Sequence, residues 1–181
     1  MLNKYFIAIV PPEPLLSEIR NIKQTIFETF GTKGALRSPG HITLHMPFSW
    51  EEKKEEKLIS ELSAFKFENA VSIQLKNYNC FEPRVVFIDV VKNEVLNELQ
   101  LNLVKHAKQK LHLFNQSDDM RGFHPHVTVA FRDLKKPVFY KLWEEYSNKE
   151  FKAEFTCNSF CLLKQAGKEW EVYKEFKFNL P

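Results

Sequence analysis

The sequence predicts an α+β protein of two similar lobes, with two β-sheets lining a central cleft and helices outside. Three observations carry that expectation. Strand-like and helix-like stretches alternate along the chain, and one order of elements occurs twice. Strand, helix, strand, helix, strand runs from 4 to 79, and the same order runs from 84 to 163. Two tetrads of one form, His41-Ile42-Thr43-Leu44 and His126-Val127-Thr128-Val129, occupy corresponding strands of the two runs, 85 positions apart. An internal duplication accounts for this pattern. No Gly/Ser/Pro-rich linker separates the halves, so residues 1–181 are expected to form one bilobal, rigid domain, closed by a final strand at about 169–178.

Taken in order, residues 4–10 read as a buried strand stopped by Pro11-Pro12. Pro14 opens a helix whose Leu15, Leu16, Ile19, Ile22, Ile26 and Phe30 recur at helical spacing, and Gly31 ends it. A loop leads into the first His-Thr strand, 41–48. Ser49 and Glu52 have the spacing of a capping box for the next helix, and the charges from Glu51 to Lys57 read as its solvated face. Residues 70–79 alternate, with Val71, Ile73 and Leu75 inward. A turn at Glu82-Pro83 precedes a nearly continuous apolar strand, Arg84 to Val91, expected to be central. Residues 93–113 form a long helix with Val95, Leu96, Leu99, Leu103, Ala107 and Leu111 inside. A polar loop, 115–122, leads to the second His-Thr strand, 124–131. Pro137 opens a helix carrying Leu142, Trp143 and Tyr146. Residues 151–163 read as one strand, joined to the last by a hairpin at Ala166-Gly167.

Composition narrows the function classes. The chain of 181 residues, 44% of them hydrophobic, can bury a sizeable core. A net charge of +3 suits a phosphate-bearing ligand but is too weak for a nucleic-acid coat. Three cysteines without ligand spacing point to a reducing cytoplasm rather than a disulfide framework, and Cys157 and Cys161 read as core residues. The apolar run Phe6 to Val10 is too short for a membrane span and has no leader-cleavage pattern. A cytoplasmic protein without cofactor, metal, membrane contact or obligate protein partner is expected.

The chemistry lies in the tetrads. Side chains alternate along a strand. His41 and Thr43 are therefore expected on one face, with Ile42, Leu44 and Met46 on the other. Likewise His126 and Thr128 should oppose Val127, Val129 and Phe131. With 6 Thr and 6 His in the chain, about 0.2 His-x-Thr triplets are expected by chance, against the two observed. A pseudo-twofold axis between the lobes would bring both strands to one cleft. Two imidazoles could then stand in opposite protonation states around a small anion, with two hydroxyls to donate hydrogen bonds to it.

These residues resemble the two-histidine (2H) phosphoesterase superfamily, in particular the 2′-5′ RNA ligase-like RNA 2′,3′-cyclic phosphodiesterases. The likeness spans nearly the whole chain. It includes the strand-Pro opening from Tyr5 to Pro12, both tetrads, Phe81-Glu82-Pro83-Arg84-Val85-Val86-Phe87, and Arg121-Gly122-Phe123-His124-Pro125-His126-Val127-Thr128-Val129. Met46-Pro47-Phe48 stands where the family usually has Phe-Leu-Gly. The resemblance implies metal-free hydrolysis of a 2′,3′-cyclic phosphate on an RNA end or a nucleotide, with 2′-5′ ligation as the reverse reaction. It makes His126 the base and His41 the acid, with Thr43 and Thr128 binding the non-bridging oxygens. A related enzyme acting on 2′-5′ oligonucleotides or another cyclic phosphate, and a non-catalytic nucleotide- or RNA-binding module, are the alternatives.

Around the tetrads the candidates for substrate contact are less specific. His45 and His124 share the strand faces of His41 and His126. Phe123, Phe48 and Phe81 could stack on a base, although with 17 Phe in the chain core packing is the favoured reading for any one of them taken alone. Arg84 and Arg132 could each hold a phosphate oxygen or simply end a strand in solvent. Asp118-Asp119 reads as a solvated turn, and His106 and His112 as bland positions on the long helix.

Overall fold

The structure is a computed structural model; it describes residues 1–114 and 122–181. The loop carrying Asp118-Asp119, and Arg121 with it, lies outside the described residues. Eight strands, β1 (Leu2–Ile9), β2 (Ile42–Glu51), β3 (Val71–Phe81), β4 (Val85–Val90), β5 (His126–Ala130), β6 (Lys152–Cys157), β7 (Ser159–Ala166) and β8 (Glu169–Lys177), form one sheet in the order β6-β3-β4-β5-β2-β1-β7-β8. Every pairing is antiparallel. The two expected sheets are thus two four-stranded halves joined edge to edge. A single bridge, Ile42 to Val127, connects them.

Four helices, α1 (Leu15–Phe30), α2 (Glu55–Ser63), α3 (Glu94–Leu111) and α4 (Lys136–Tyr146), share one continuous apolar core with the sheet. Ile19 and Ile26 of α1, Leu62 of α2, Leu99 and Leu103 of α3 and Leu142 of α4 are each fully buried in it. They pack on Ile7, Ile42, Ile73, Ile88 and Val127 of the strands. Local chemistry sets the helix ends. Gly31 takes the left-handed conformation at φ 73°, and its N–H reaches the Phe27 carbonyl at 2.8 Å. The Asn93 side chain caps α3 by accepting from the Leu96 N–H at 2.9 Å. The opposite face of β1 and β7 holds a second, smaller cluster of Phe6, Ala8, Cys161 and Leu163, covered by Trp170.

Several expectations are corrected. The stretch 151–163 is two strands broken at Asn158: β6 pairs with β3 in one half, and β7 pairs with β1 in the other. The third strand of each sequence repeat therefore lies in the other half, since β3 pairs with β4 and β7 with β1. Ser49 does not cap α2; it stays in β2 opposite Lys4, because pairing with β1 continues to Glu51. The helix starts at Glu55, after a 3₁₀ turn at Glu52–Lys54. Glu55 is not part of a solvated face. Its carboxylate accepts from Tyr5 and Tyr173 hydroxyls and from Lys164 Nζ, tying α2 to three strands. Val95, expected inside, is 36% exposed.

Strand alternation also breaks at matched places. Between β1 and β2 the register moves from Ala8–Thr43 to Ile7–His45, so Leu44 is an extra residue. Between β4 and β5 it moves from Phe87–Thr128 to Val86–Ala130, so Val129 is extra. Each bulge directly follows the motif threonine. A bulge shifts the alternation by one, so Leu44 and His45 are both buried, as are Val129 and Ala130. Met46 and Phe131, expected in the core, turn to the outer face at 42% and 40% exposure.

Gly34, in a 3₁₀ turn at Gly34–Arg37, seals the strand-β5 side of this fold. A Cβ there would lie 2.2 Å from the Phe131 carbonyl oxygen and 2.9 Å from Asp133 Oδ1. Gly34→Ala should therefore cost about 1–3 kcal/mol, as overpacking does. Denaturant unfolding with an unchanged slope and a lowered midpoint checks it.

Candidate active site

The bridge between β2 and β5 fixes the geometry of the tetrads. Ile42 faces Val127 across an antiparallel pair. Extending that register by one residue sets His41 opposite Thr128 and Thr43 opposite His126. The same register makes the two histidines cross-strand diagonal positions, for which a sheet sets a spacing of roughly 7–8 Å. All four side chains line one cleft of about 250 Å³. Ile42, Leu44, Val127 and Val129 are buried on the helix side, as strand alternation requires.

The same hydrogen bond holds both rings. His41 Nδ1 donates to the Pro39 carbonyl and His126 Nδ1 to the His124 carbonyl, each at 2.8 Å. A carbonyl only accepts, so Nδ1 carries the proton and Nε2 the lone pair in the neutral ring. Aromatic rings fill the space behind. Phe6 lies 4.8 Å from His41 and Phe87 4.7 Å from His126, centroid to centroid. Burial, helped by the Lys23 ammonium, pushes the His41 imidazolium down to about 4. Burial also lowers His126, while the hydrogen bond to the His124 carbonyl works the other way. Both rings are therefore neutral in the unliganded cleft at neutral pH.

The cleft has two ends. Beyond His41 lie Phe6, Arg37, Ser38 and Trp170, with Arg132 on the rim. Beyond His126 a wider hollow of about 570 Å³ is lined by Phe81, Arg84, Phe123 and His124. The structure thus brings Phe123, His124, Arg84, Arg132 and Phe81 to the tetrads. Two candidates are not brought there. His45 is 1% exposed, turned into the core by the bulge at Leu44, with its Nδ1 donating to the Met46 carbonyl at 2.9 Å. Phe48 stacks on Tyr5 at 6.0 Å, away from the cleft. His106 binds the Glu61 carbonyl at 2.7 Å, and His112 is the left-handed C-cap of α3. Both have structural roles, as expected. Cys157 and Cys161 are buried, with thiols pushed up by burial to about 11 and about 12.

Sequence reasoning missed several residues of the site. Phe6 was hidden in a strand read as uniformly buried. Arg37 and Ser38 sit in the loop before His41, and Trp170 comes from a hairpin remote in sequence. Met46 and Phe131 are turned outward by the bulges. Arg132 adopts the left-handed backbone at φ 72°, an uncommon conformation for a non-glycine residue. The next residue holds the turn. Asp133 accepts from Thr32 Oγ1 at 2.6 Å and from the Lys33 and Gly34 N–H groups at 2.9 and 3.0 Å. Those bonds outweigh burial and keep its carboxyl below the ordinary range. Among the described residues, no group of three or more His, Cys, Asp or Glu side chains is placed to hold a metal ion. None of their helices is long and apolar enough to cross a membrane.

A β-sheet that presents paired His-Thr strands in one cleft defines a phosphoesterase-type enzyme of the two-histidine class. The chain belongs to the 2′-5′ RNA ligase superfamily, whose family model matches residues 11–169. It is 28% identical over 177 residues to a Geobacillus kaustophilus protein named as a phosphoesterase, covering 96% of this chain and 95% of that one. Among solved structures, Escherichia coli LigT complexed with 3′-AMP matches with a TM-score of 0.68 at 19% identity, covering 99% of both chains. The crystal structure of a phosphoesterase matches with a TM-score of 0.67 at 20% identity, covering 98% of this chain and 99% of that one. At such identities the structural matches establish the fold.

The lowered histidine values carry a stability consequence. The unfolded chain takes up a proton at each ring near pH 6.5, before the folded chain does. The unfolded state then binds more protons, so stability falls as pH drops from about 6.5 toward about 4, and this contribution levels off below that. Replacing His41 with Asn should flatten that part of the pH–stability curve, measured by urea unfolding at successive pH values.

Proposed function

We propose that this protein hydrolyses 2′,3′-cyclic phosphates of RNA ends or nucleotides to 2′-phosphates without a metal ion, and joins 2′-5′ linkages in the reverse direction. The observation that carries this reading is the matched pair of imidazoles. Each is locked by Nδ1 to a backbone carbonyl, and both line one cleft with Thr43 and Thr128. Hydrolysis needs a proton taken from water as its oxygen attacks phosphorus, and a proton given to the departing ribose oxygen. Two rings on opposite sides of one phosphate supply both. Thr43 and Thr128 donate to the non-bridging oxygens, where charge builds. Arg132 and Arg37 favour the anion at one end of the cleft, and Phe123 and Phe81 offer ring faces for a base at the other. His124 and Arg84 stand beside them.

The solved structures of Escherichia coli LigT complexed with 3′-AMP, with ATP and with NADP+ support a nucleotide-sized ligand for a protein of this fold. They also keep open a related reading, a phosphodiesterase acting on 2′-5′ oligonucleotides or another nucleotide ester. A binding module without catalysis would not need both rings held in one tautomer. Three free cysteines fit a cytoplasmic protein.

An activity panel of cyclic mononucleotides, RNA ending in a 2′,3′-cyclic phosphate and short 2′-5′ oligonucleotides tests the proposal. Turnover of a cyclic phosphate should persist in EDTA, because side chains supply both proton transfers and the charge stabilisation. Loss in EDTA with recovery on adding a divalent ion would refute the metal-free route.

His41→Ala and His126→Ala should each remove turnover while the far-UV spectrum and unfolding midpoint stay near the parent's. Thr43→Ala and Thr128→Ala should each lower kcat by roughly 10–1000-fold, as removal of one oxyanion donor does, with Ser largely tolerated. Steady-state kinetics on the best substrate of the panel measures all four.

A further inference from the structure

The cleft does not end at Arg37 and Ser38. Those two residues and Trp170 also line a second hollow of about 440 Å³, which continues from the His41 side toward α1. Its α1 wall carries Arg20 and, one turn on, Lys23. Lys23 is 3% exposed, on the inner face of the helix with Ile19 and Ile26, where an apolar residue would ordinarily sit. Its Nζ donates to the Ser38 carbonyl at 3.1 Å. An ammonium has three N–H donors, and among the described residues Ser38 is its one hydrogen-bond acceptor. The Arg20 charge is close enough to help burial lower the Lys23 ammonium to about 8. Among the described residues none of Arg20, Lys23 and Arg37 is in an ion pair. Like charges one turn apart on a helix repel, and burying one of them is costly. An anion in the hollow offsets both.

Acids line the hollow as well. Glu13 accepts the Ser17 N–H at 3.1 Å, and Glu169 and Glu171 flank Trp170 on β8. The hollow therefore offers cations on the helix side, carboxylate acceptors on the β8 side, and an indole shared with the cleft. A bare phosphate uses the first of these alone. A nucleotide within a strand uses all three, through its phosphate oxygens, its hydroxyl and amino donors, and the face of its base.

We propose that this hollow is a second nucleotide subsite, which holds the phosphodiester and nucleoside preceding the terminal one, so that the substrate is the end of an RNA strand rather than a free cyclic nucleotide. This rests on the cyclic phosphodiesterase reading. In such a strand the 5′ carbon of the last ribose carries the phosphodiester to the preceding nucleoside, one sugar away from the cyclic phosphorus. The cyclic phosphate lies between His41 and His126, and the terminal base lies against Phe81 and Phe123. The chain then leaves on the His41 side. Arg20 and Lys23 take the phosphodiester oxygens, and Trp170 takes the preceding base.

Arg20 is exposed and touches none of the tetrads, so its variants separate this subsite from the chemistry. The full chain is assayed on adenosine 2′,3′-cyclic phosphate and on the dinucleotide ApA ending in the same cyclic group. The dinucleotide should have the lower KM, on the order of 10-fold for one hydrogen bond to a charged group, at a similar kcat. Arg20→Gln should remove most of that advantage, Arg20→Glu all of it, and Arg20→Lys should keep part. All three should leave the mononucleotide's kinetics at parent values. Calorimetric binding of 3′-AMP and of ApA ending in a 3′-phosphate, neither of which holds a cyclic ester, should give the same order of affinities. Equal affinity for the short and the long ligand in the parent, or an Arg20→Glu protein that binds the dinucleotide as the parent does, overturns the proposal. Absence of turnover on both cyclic substrates refutes the hydrolase reading instead, while the calorimetric pair still decides the subsite.

Discussion

Ile42 pairs with Val127, and that bridge is where the two halves of the sheet meet. The cleft depends on it. A shift of one residue in this register would turn the imidazoles and hydroxyls toward the helices and put Ile42 and Val127 in solvent. The register is held because both apolar residues are fully buried against the helix layer. Hydrophobic burial on one face thus fixes polar geometry on the other. The bridge itself is short, so the burial beneath it carries most of the constraint.

The matched bulges extend this logic. Each strand keeps its alternation through the histidine and threonine, then gains one residue, and β2 gains another between His45 and Phe48. The chain beyond is offset, which brings Met46 and Phe131 to the cleft and turns His45 into the core. The bulges also separate the rigid His-x-Thr segment from the rim that follows it. That rim is where this sequence departs from the usual family pattern, at Met46-Pro47-Phe48. Near β5 the rim is clamped by Asp133, whose carboxylate gathers the 32–34 loop against a strained Arg132. Three hydrogen bonds offset a backbone strain of order 1–3 kcal/mol.

Burial and charge act on the two rings in the same sense. Both rings lose proton affinity through burial, and both use the same Nδ1 tether. The Lys23 ammonium lowers His41 further, and the charge of neighbouring His124 lowers His126. A lysine as deeply buried as Lys23 is costly in a small core. Its retention on the inner face of α1 is understandable where its charge acts on the adjacent loop and ring.

From the sequence alone came the α+β class, the positions of the helices, the paired His-Thr strands with their inward apolar partners, and the family. These follow from short-range periodicity: a period of two on strands and 3.6 on helices is set by backbone geometry and survives in any context. The break at Asn158, the exchange of β3 and β7 between halves, the bulges and the inward turn of His45 were decided only by tertiary structure. Each depends on which strand pairs with which, and pairing joins residues far apart in sequence. Capping at Ser49 failed for the same reason, because pairing with β1 outcompeted a local side-chain bond. Lys23, Arg37 and Trp170 carry no local signal. Their part in the site comes from position against His41 and His126, which the fold alone supplies.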